Sequence, residues 1–168
     1  MFRVSRIEPR DNLLLRCMFY LGLRNSEVRN MCIEDVDLIN KTVKVVQSKG
    51  KKDRYVPIPT SELVHQFEKW FGNRSEGRIF YISDRHLRRL VKAYAVMARI
   101  RSPQEVHPHT LRHSYATHLQ NNGVPLNVIQ QILGHERIET TTLYVHLGLE
   151  RMREHVEKAF REEGEVVY

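Results

Sequence analysis

Two cysteines are all that this 168-residue chain holds. Cys17 and Cys32 both fall in apolar surroundings, which excludes a disulfide framework. No CxxC occurs, so the cysteine-based zinc motifs are missing as well. No apolar run approaches the ~20 residues of a membrane-spanning helix, and the opening MFRVSRIEPR has no signal-peptide h-region. There are no tandem repeats, no low-complexity tract and no linker that divides the sequence. Acidic residues are the minority charge: 20 Asp and Glu face 27 Lys and Arg, a formal net charge of +7. That excess points to a polyanionic partner without naming one. Apolar residues make up 41% of the chain, which at this length supplies a real core and argues against disorder.

The pattern along the chain predicts a mainly helical α+β domain. Asn12 to Leu21 (NLLLRCMFYL) is nearly all apolar and reads as a buried helix, started by Pro9 and Asp11 and stopped by Gly22. A short helix follows from Asn25 or Ser26 to Met31. Between Glu34 and Pro59 the period drops to two. DVDLI, TVKVVQS and RYVPIP predict three short antiparallel strands joined by INK and by the basic turn SKGKKD. Helical spacing then returns in two stripes, Leu63, Val64, Phe67, Trp70 and Phe71, then Leu87, Leu90, Val91, Tyr94 and Ala98. His109 to Asn121 predicts another helix. Pro125 opens one whose apolar face is Leu126, Ile129, Ile132 and Leu133 and which Gly134 closes. A last amphipathic helix is expected at about 149–163, with Leu149, Met152, Val156 and Phe160 on one face.

Nine histidines invite a metal reading, and His109 and His113 in HPHTLRH stand at i, i+4. Zinc hydrolases with that spacing carry Glu directly after the first His, and Thr110 stands there instead. More informative is the placing of basic and hydroxyl residues at element ends. Arg24 lies just past Gly22, Lys49 sits on a hairpin tip beside Gly50, His109 and Arg112 share a helical turn, His135 follows Gly134, and Tyr144 stands in TTTLYVHL. Taken singly, each has an ordinary explanation as a surface Arg, a solvated Lys, a capping His or a core Tyr.

Taken together, GLRNSEV, SKGKKDRYVPIP, HPHTLRHSYATHL and ILGHERIETTTLYVHL resemble, in order, the four signature blocks of the tyrosine recombinases, the phage-integrase and Xer-type family. The match runs from about Pro9 to Phe160. By this resemblance Arg24 and Arg112 are the two catalytic arginines, Lys49 the hairpin lysine, His109 the partner of Arg112 in HxxR, His135 the His-or-Trp position and Tyr144 the nucleophile. Glu27 takes the family's acidic position, either orienting an Arg or a His or serving simply as a cap-region charge near a helix N-terminus. The implied fold is the tyrosine recombinase catalytic domain, expected as one domain over residues 1–168 with a tail helix and without the N-terminal core-binding domain that family members usually carry.

The implied activity is site-specific breaking and rejoining of double-stranded DNA through a 3′-phosphotyrosyl intermediate, with no cofactor and no metal. The implied partners are DNA and other copies of the chain, four protomers joined through the C-terminal helix. The implied setting is cytoplasmic, on prokaryotic or viral DNA. Lys51, Lys52 and Arg54, then Arg85, Arg88 and Arg89, then Arg99 and Arg101, are candidate phosphate contacts, which would give affinity without sequence information. His113 and His118 are expected to be structural or DNA-facing. Three alternatives stay open: a type IB topoisomerase-like nicking and closing activity, a catalytically silent DNA-binding module, and, more remotely, a zinc hydrolase.

Overall fold

Pro9 and Gly22 bracket the most apolar stretch of the chain, and a helix forms between them in which every residue from Asp11 to Tyr20 is buried. The structure, a computed structural model, describes residues 1–5, 8–46, 53–134 and 145–161. In order these form α1 (Phe2–Ser5), α2 (Pro9–Tyr20), α3 (Asn25–Asn30), β1 (Val36–Asp37), β2 (Thr42–Val45), β3 (Arg54–Pro57), α4 (Ser61–Phe71), α5 (Asp84–Met97), α6 (Pro108–Asn121), α7 (Leu126–Leu133) and α8 (Val145–Arg161). The fold is mainly helical with one small antiparallel sheet, as the sequence pattern predicts. Among the described residues no helix is long and apolar enough to cross a membrane.

Helix α2 is the axis around which α1, α3, α4 and α6 pack. A helix buried on all sides must find partners for its polar groups. Arg16 donates from Nε to the Asn12 Oδ1 (3.1 Å) and pairs with Glu62 on α4 (2.9 Å). Asp11 accepts a hydrogen bond from the Tyr94 hydroxyl on α5 (3.0 Å). The two expected helical stripes are buried as drawn, except that Trp70 and Ala98 are only half-buried. Trp70 directs its indole N–H to the Ile79 carbonyl (3.1 Å).

The sheet is a β1-β2-β3 meander. Val43 faces Val56 and Val45 faces Arg54, while Lys44 and Tyr55 pair across the outer face. The first strand is shorter than DVDLI predicts. Asp37 accepts from the Asn40 backbone N–H (2.8 Å) and side-chain amide (2.7 Å), and this turn ends the pairing before Leu38 and Ile39. Ile39 is left exposed.

Gly22 closes the turn after α2 at φ +58, and a Cβ there would lie 2.5 Å from the Tyr115 ring. Gly22→Ala therefore combines a left-handed backbone costing about 1–2 kcal/mol for an L-residue with overpacking of roughly 1–3 kcal/mol. A melting temperature within a degree of the parent chain would refute that placement.

The tail helix begins at Val145, four residues ahead of the sequence expectation, and lies against α6 and β3 of its own chain. Met152, Val156, Ala159 and Phe160 are buried there. The Phe160 ring stacks 6.2 Å from Tyr115 and sits 4.4 Å from His118, whose Nε2 lies 3.0 Å from the Ala159 carbonyl. His118 is thus structural. Phe160→Ala removes an aromatic side chain shared by three elements and is expected to cost about 3–5 kcal/mol, or roughly 10 °C of melting temperature. Scanning calorimetry measures the shift, and a change of only one or two degrees would mean that α8 is weakly held.

Candidate active site

Arg24 owes its position to the turn at Gly22, which brings it to the N-cap of α3 in extended conformation. Three residues later Glu27 reaches back, and its Oε2 accepts the Arg24 backbone N–H at 2.7 Å. A carboxylate in the first helical turn also meets the positive end of the helix dipole. The Arg24 side chain returns to the same group, donating from Nη1 to Oε1 at 2.8 Å. Glu27 therefore aims Arg24 from two directions. Its side chain is only 7% exposed.

Arg112 arrives from the second turn of α6. That helix starts with a reciprocal cap: the Thr110 N–H donates to the His107 Nδ1 (3.3 Å) and the Thr110 Oγ1 accepts the His107 N–H (3.2 Å). Thr110, the residue that breaks the zinc-hydrolase pattern, is there for capping. Arg112 is buried, donates from Nη1 to the Gly22 carbonyl (2.6 Å) and from Nη2 to the Leu133 carbonyl, and lies 3.8 Å from the Glu27 Oε2. Burial, then the charge of Arg24, lowers its pKa to about 10, so it stays cationic at neutral pH. His109, one turn before it, is exposed, and both line an open concavity of about 470 Å3 with His107, His113, Ala116 and Leu133.

Arg54 requires a correction. The basic hairpin suggested a phosphate contact, but Arg54 is buried and all three of its guanidinium nitrogens are engaged. Nη1 and Nη2 donate to the two Glu27 oxygens at 2.8 and 2.9 Å, and Nε donates to the Ile132 carbonyl at 2.7 Å. With Val45 as its neighbour across the sheet, it occupies the inward face of β3. Burial and these three internal partners turn the side chain away from the surface where a phosphate backbone would lie.

A second feature escaped the sequence reading. Helix α7 ends at Gly134, whose N–H closes onto Gln131, leaving the last carbonyls of the helix without intrahelical partners. Each is taken by a different arginine. Arg54 holds Ile132, Arg112 holds Leu133, and Arg24 holds Gly134 through Nη2 at 3.0 Å. Three cations at the negative end of a helix also complement its dipole. The residue that follows in the chain is His135.

Burial acts to raise the Glu27 pKa, but the hydrogen bonds and charge of Arg54, with those from Arg24, more than offset it and hold the group at about 2. A carboxyl depressed this far contributes stability that is complete above its ordinary unfolded value and is lost as pH falls from there through about 2. The contribution is on the order of 3 kcal/mol. Glu27→Gln should accordingly melt well below the parent at pH 7, and the two melting curves should converge between about pH 5 and pH 2. Parallel curves across that range would deny Glu27 its charged role.

Among the outer basic residues, Arg88 is paired with Asp84 at 2.8 Å, whereas Arg85, Arg89 and Lys92 are exposed along α5. Asp84 also accepts from the Asn25 side chain, which fixes the start of α5 beside the α3 turn that carries Arg24. Arg99 and Arg101 are exposed in the turn after α5. Among the described residues, no three His, Cys, Asp or Glu side chains gather as a metal-binding group. Lys49, Lys51, Lys52, His135 and Tyr144 lie outside the described residues.

Of the residues that the signature blocks single out, Arg24 and Arg112 both meet Glu27, and His109 lines the same concavity as Arg112. The model of the phage integrase family matches residues 3–151. The chain belongs to the phage integrase family. It is 37% identical over 150 residues to a tyrosine recombinase of Pseudothermotoga lettingae, covering 85% of this chain and 51% of that one. To the tyrosine recombinase XerA of Thermococcus kodakarensis it is 38% identical over 161 residues, covering 89% and 55%. The crystal structure of a XerA recombinase superposes with a TM-score of 0.70 at 29% identity, over 91% of this chain and 60% of that one. This phage-integrase chain thus spans about half the length of the curated relatives it matches.

Proposed function

We propose that this chain is the catalytic part of a site-specific recombinase that breaks and rejoins double-stranded DNA through Tyr144. The observation that carries the reading is the convergence of Arg24, at the N-cap of α3, and Arg112, from α6, on one buried carboxylate, with Arg112 also lining the concavity that holds His109. Two permanently charged guanidiniums are suited to the non-bridging oxygens of a phosphodiester, whose charge rises in the transition state.

In this mechanism the Tyr144 oxygen attacks the scissile phosphorus and forms a 3′-phosphotyrosyl bond as the bond to the 5′-oxygen breaks. Lys49 donates the proton that the departing 5′-oxygen takes up. His109 assists with the tyrosine proton or a phosphate oxygen, and His135 hydrogen-bonds the same phosphate. The ester keeps the bond energy, so a different 5′-hydroxyl reverses the step on another strand without any nucleotide cofactor. The exposed Arg85, Arg89 and Lys92 supply backbone affinity, and Lys51 and Lys52 take the same role.

Assembly of four protomers on two DNA sites belongs to this reading, as does a prokaryotic or viral DNA setting. Because the apolar face of α8 is already covered at home, a neighbour meeting this helix would meet its charged side, Glu150, Arg151, Glu154 and Lys158. The test of the function is a nicked suicide duplex incubated with the chain and resolved on a denaturing gel. A protein–DNA adduct is expected. DNA binding without any adduct would favour a silent binding module.

A further inference from the structure

We infer that Arg54 is a positioning residue for Arg24, acting through Glu27: its planar fork fixes the carboxylate that aims Arg24 and ties the end of α7 to the same point. The inference deepens the recombinase reading and rests on it for its catalytic half. Its structural half stands without DNA.

The geometry is that of a two-sided carboxylate. Arg54 takes both Glu27 oxygens in parallel, at 2.8 and 2.9 Å, which fixes the plane of the group. Arg24 takes the same two oxygens with Nη1 and its backbone N–H. Glu27 and Arg54 are both largely sequestered, with side chains 7% and 9% exposed, so water is poorly placed to substitute for either partner. Without Arg54 the carboxylate keeps only Arg24 and the more distant Arg112, and the Ile132 carbonyl loses its donor. The third donor of Arg54 matters for a second reason. Ile132, Leu133 and Gly134 are held by three different arginines, so Arg54 also steadies the helix end whose last carbonyl Arg24 holds. Lysine cannot replace it, because one ammonium cannot present three donors in a plane.

The experiment compares Arg54→Lys, Arg54→Ala, Arg24→Ala and the double variant Arg24→Ala/Arg54→Ala by single-turnover adduct formation on a suicide duplex. Arg54→Ala is expected to slow adduct formation by roughly 10- to 100-fold, as loss of an orienting partner does, with DNA retention unchanged. Arg54→Lys should remain close to Arg54→Ala, and the double variant should be no slower than Arg24→Ala alone, as for groups acting as a unit. Multiplying defects, recovery in Arg54→Lys, or a loss of DNA affinity that matches the loss of rate would each overturn the inference.

Arg54→Lys keeps a positive charge and an aliphatic stem at the site, so it serves where Arg54→Ala fails to fold. A second measurement needs no DNA: nitrogen NMR of the Arg24 guanidinium, whose two Nη groups are each tied to an acceptor. Arg54→Lys should release the restricted, exchange-protected Arg24 signals. Their persistence would overturn the inference whatever the chain does to DNA. Release of those signals in Arg54→Lys, together with a parent chain that forms no adduct, would uphold the positioning role and count against the recombinase reading.

Discussion

Tyr144→Phe is expected to abolish the covalent protein–DNA adduct while leaving DNA retention within about twofold, because phosphate affinity follows the number of cations and none is removed. The substitution deletes one oxygen, the atom that would form the ester with phosphorus. It should also leave the fold intact. Tyr144 directly precedes Val145, where α8 begins, and that helix is anchored farther along by Met152, Val156 and Phe160. A phenylalanine variant that melts with the parent, holds DNA with the same salt dependence and forms no adduct isolates the nucleophile from binding. The measurement is a labelled suicide duplex on a denaturing gel, beside a filter or shift assay at two salt concentrations. An adduct in the phenylalanine lane would assign the nucleophile to another residue.

The elements were legible because their signals are local. Apolar spacing, Pro9 and Pro125 near helix starts, and Gly22 and Gly134 at helix ends define α2 and α7 almost to the residue. Arg24 and Arg112 were legible as a pair only through the family blocks, since nothing in their spacing says that they meet at Glu27. What the reading missed is tertiary. Arg54 lies in a basic hairpin, and its charge suggested solvent and phosphate. Yet it shares strand parity with Val56 and Ile58, both fully buried, which places it on the inward face. The period-two pattern contains that conclusion, and on this strand it outweighs local charge. The arginine grip on three consecutive carbonyls had no such signal. It depends on α7 ending where α3, α6 and β3 converge, a fact of packing and not of sequence. The short β1 had a weaker one: an Asp three residues before an Asn, whose side-chain turn ends the strand early.

The second large effect separates the two kinds of cation. Arg112→Ala should slow cleavage by about 10²- to 10³-fold, as loss of one preorganised donor to a developing oxyanion does. Lys49→Ala should slow it by roughly 10²- to 10⁴-fold, as loss of a general acid does. On ordinary DNA the two defects look alike. They diverge on a duplex whose bridging 5′-oxygen is replaced by sulfur, because a thiolate departs without a proton. Lys49→Ala is expected to recover most of its rate there, whereas Arg112→Ala is not, since its partners are the non-bridging oxygens and these are unchanged. Arg112 also holds the Gly22 and Leu133 carbonyls, so its removal unsettles the α2 and α7 termini as well as the phosphate. A melting curve taken on the same preparation measures that part of the loss, and the sulfur substitution cannot repair it. Equal recovery of both variants would mean that Arg112 acts on the leaving group, and no recovery of Lys49→Ala would make the lysine a contact that places the DNA and donates no proton.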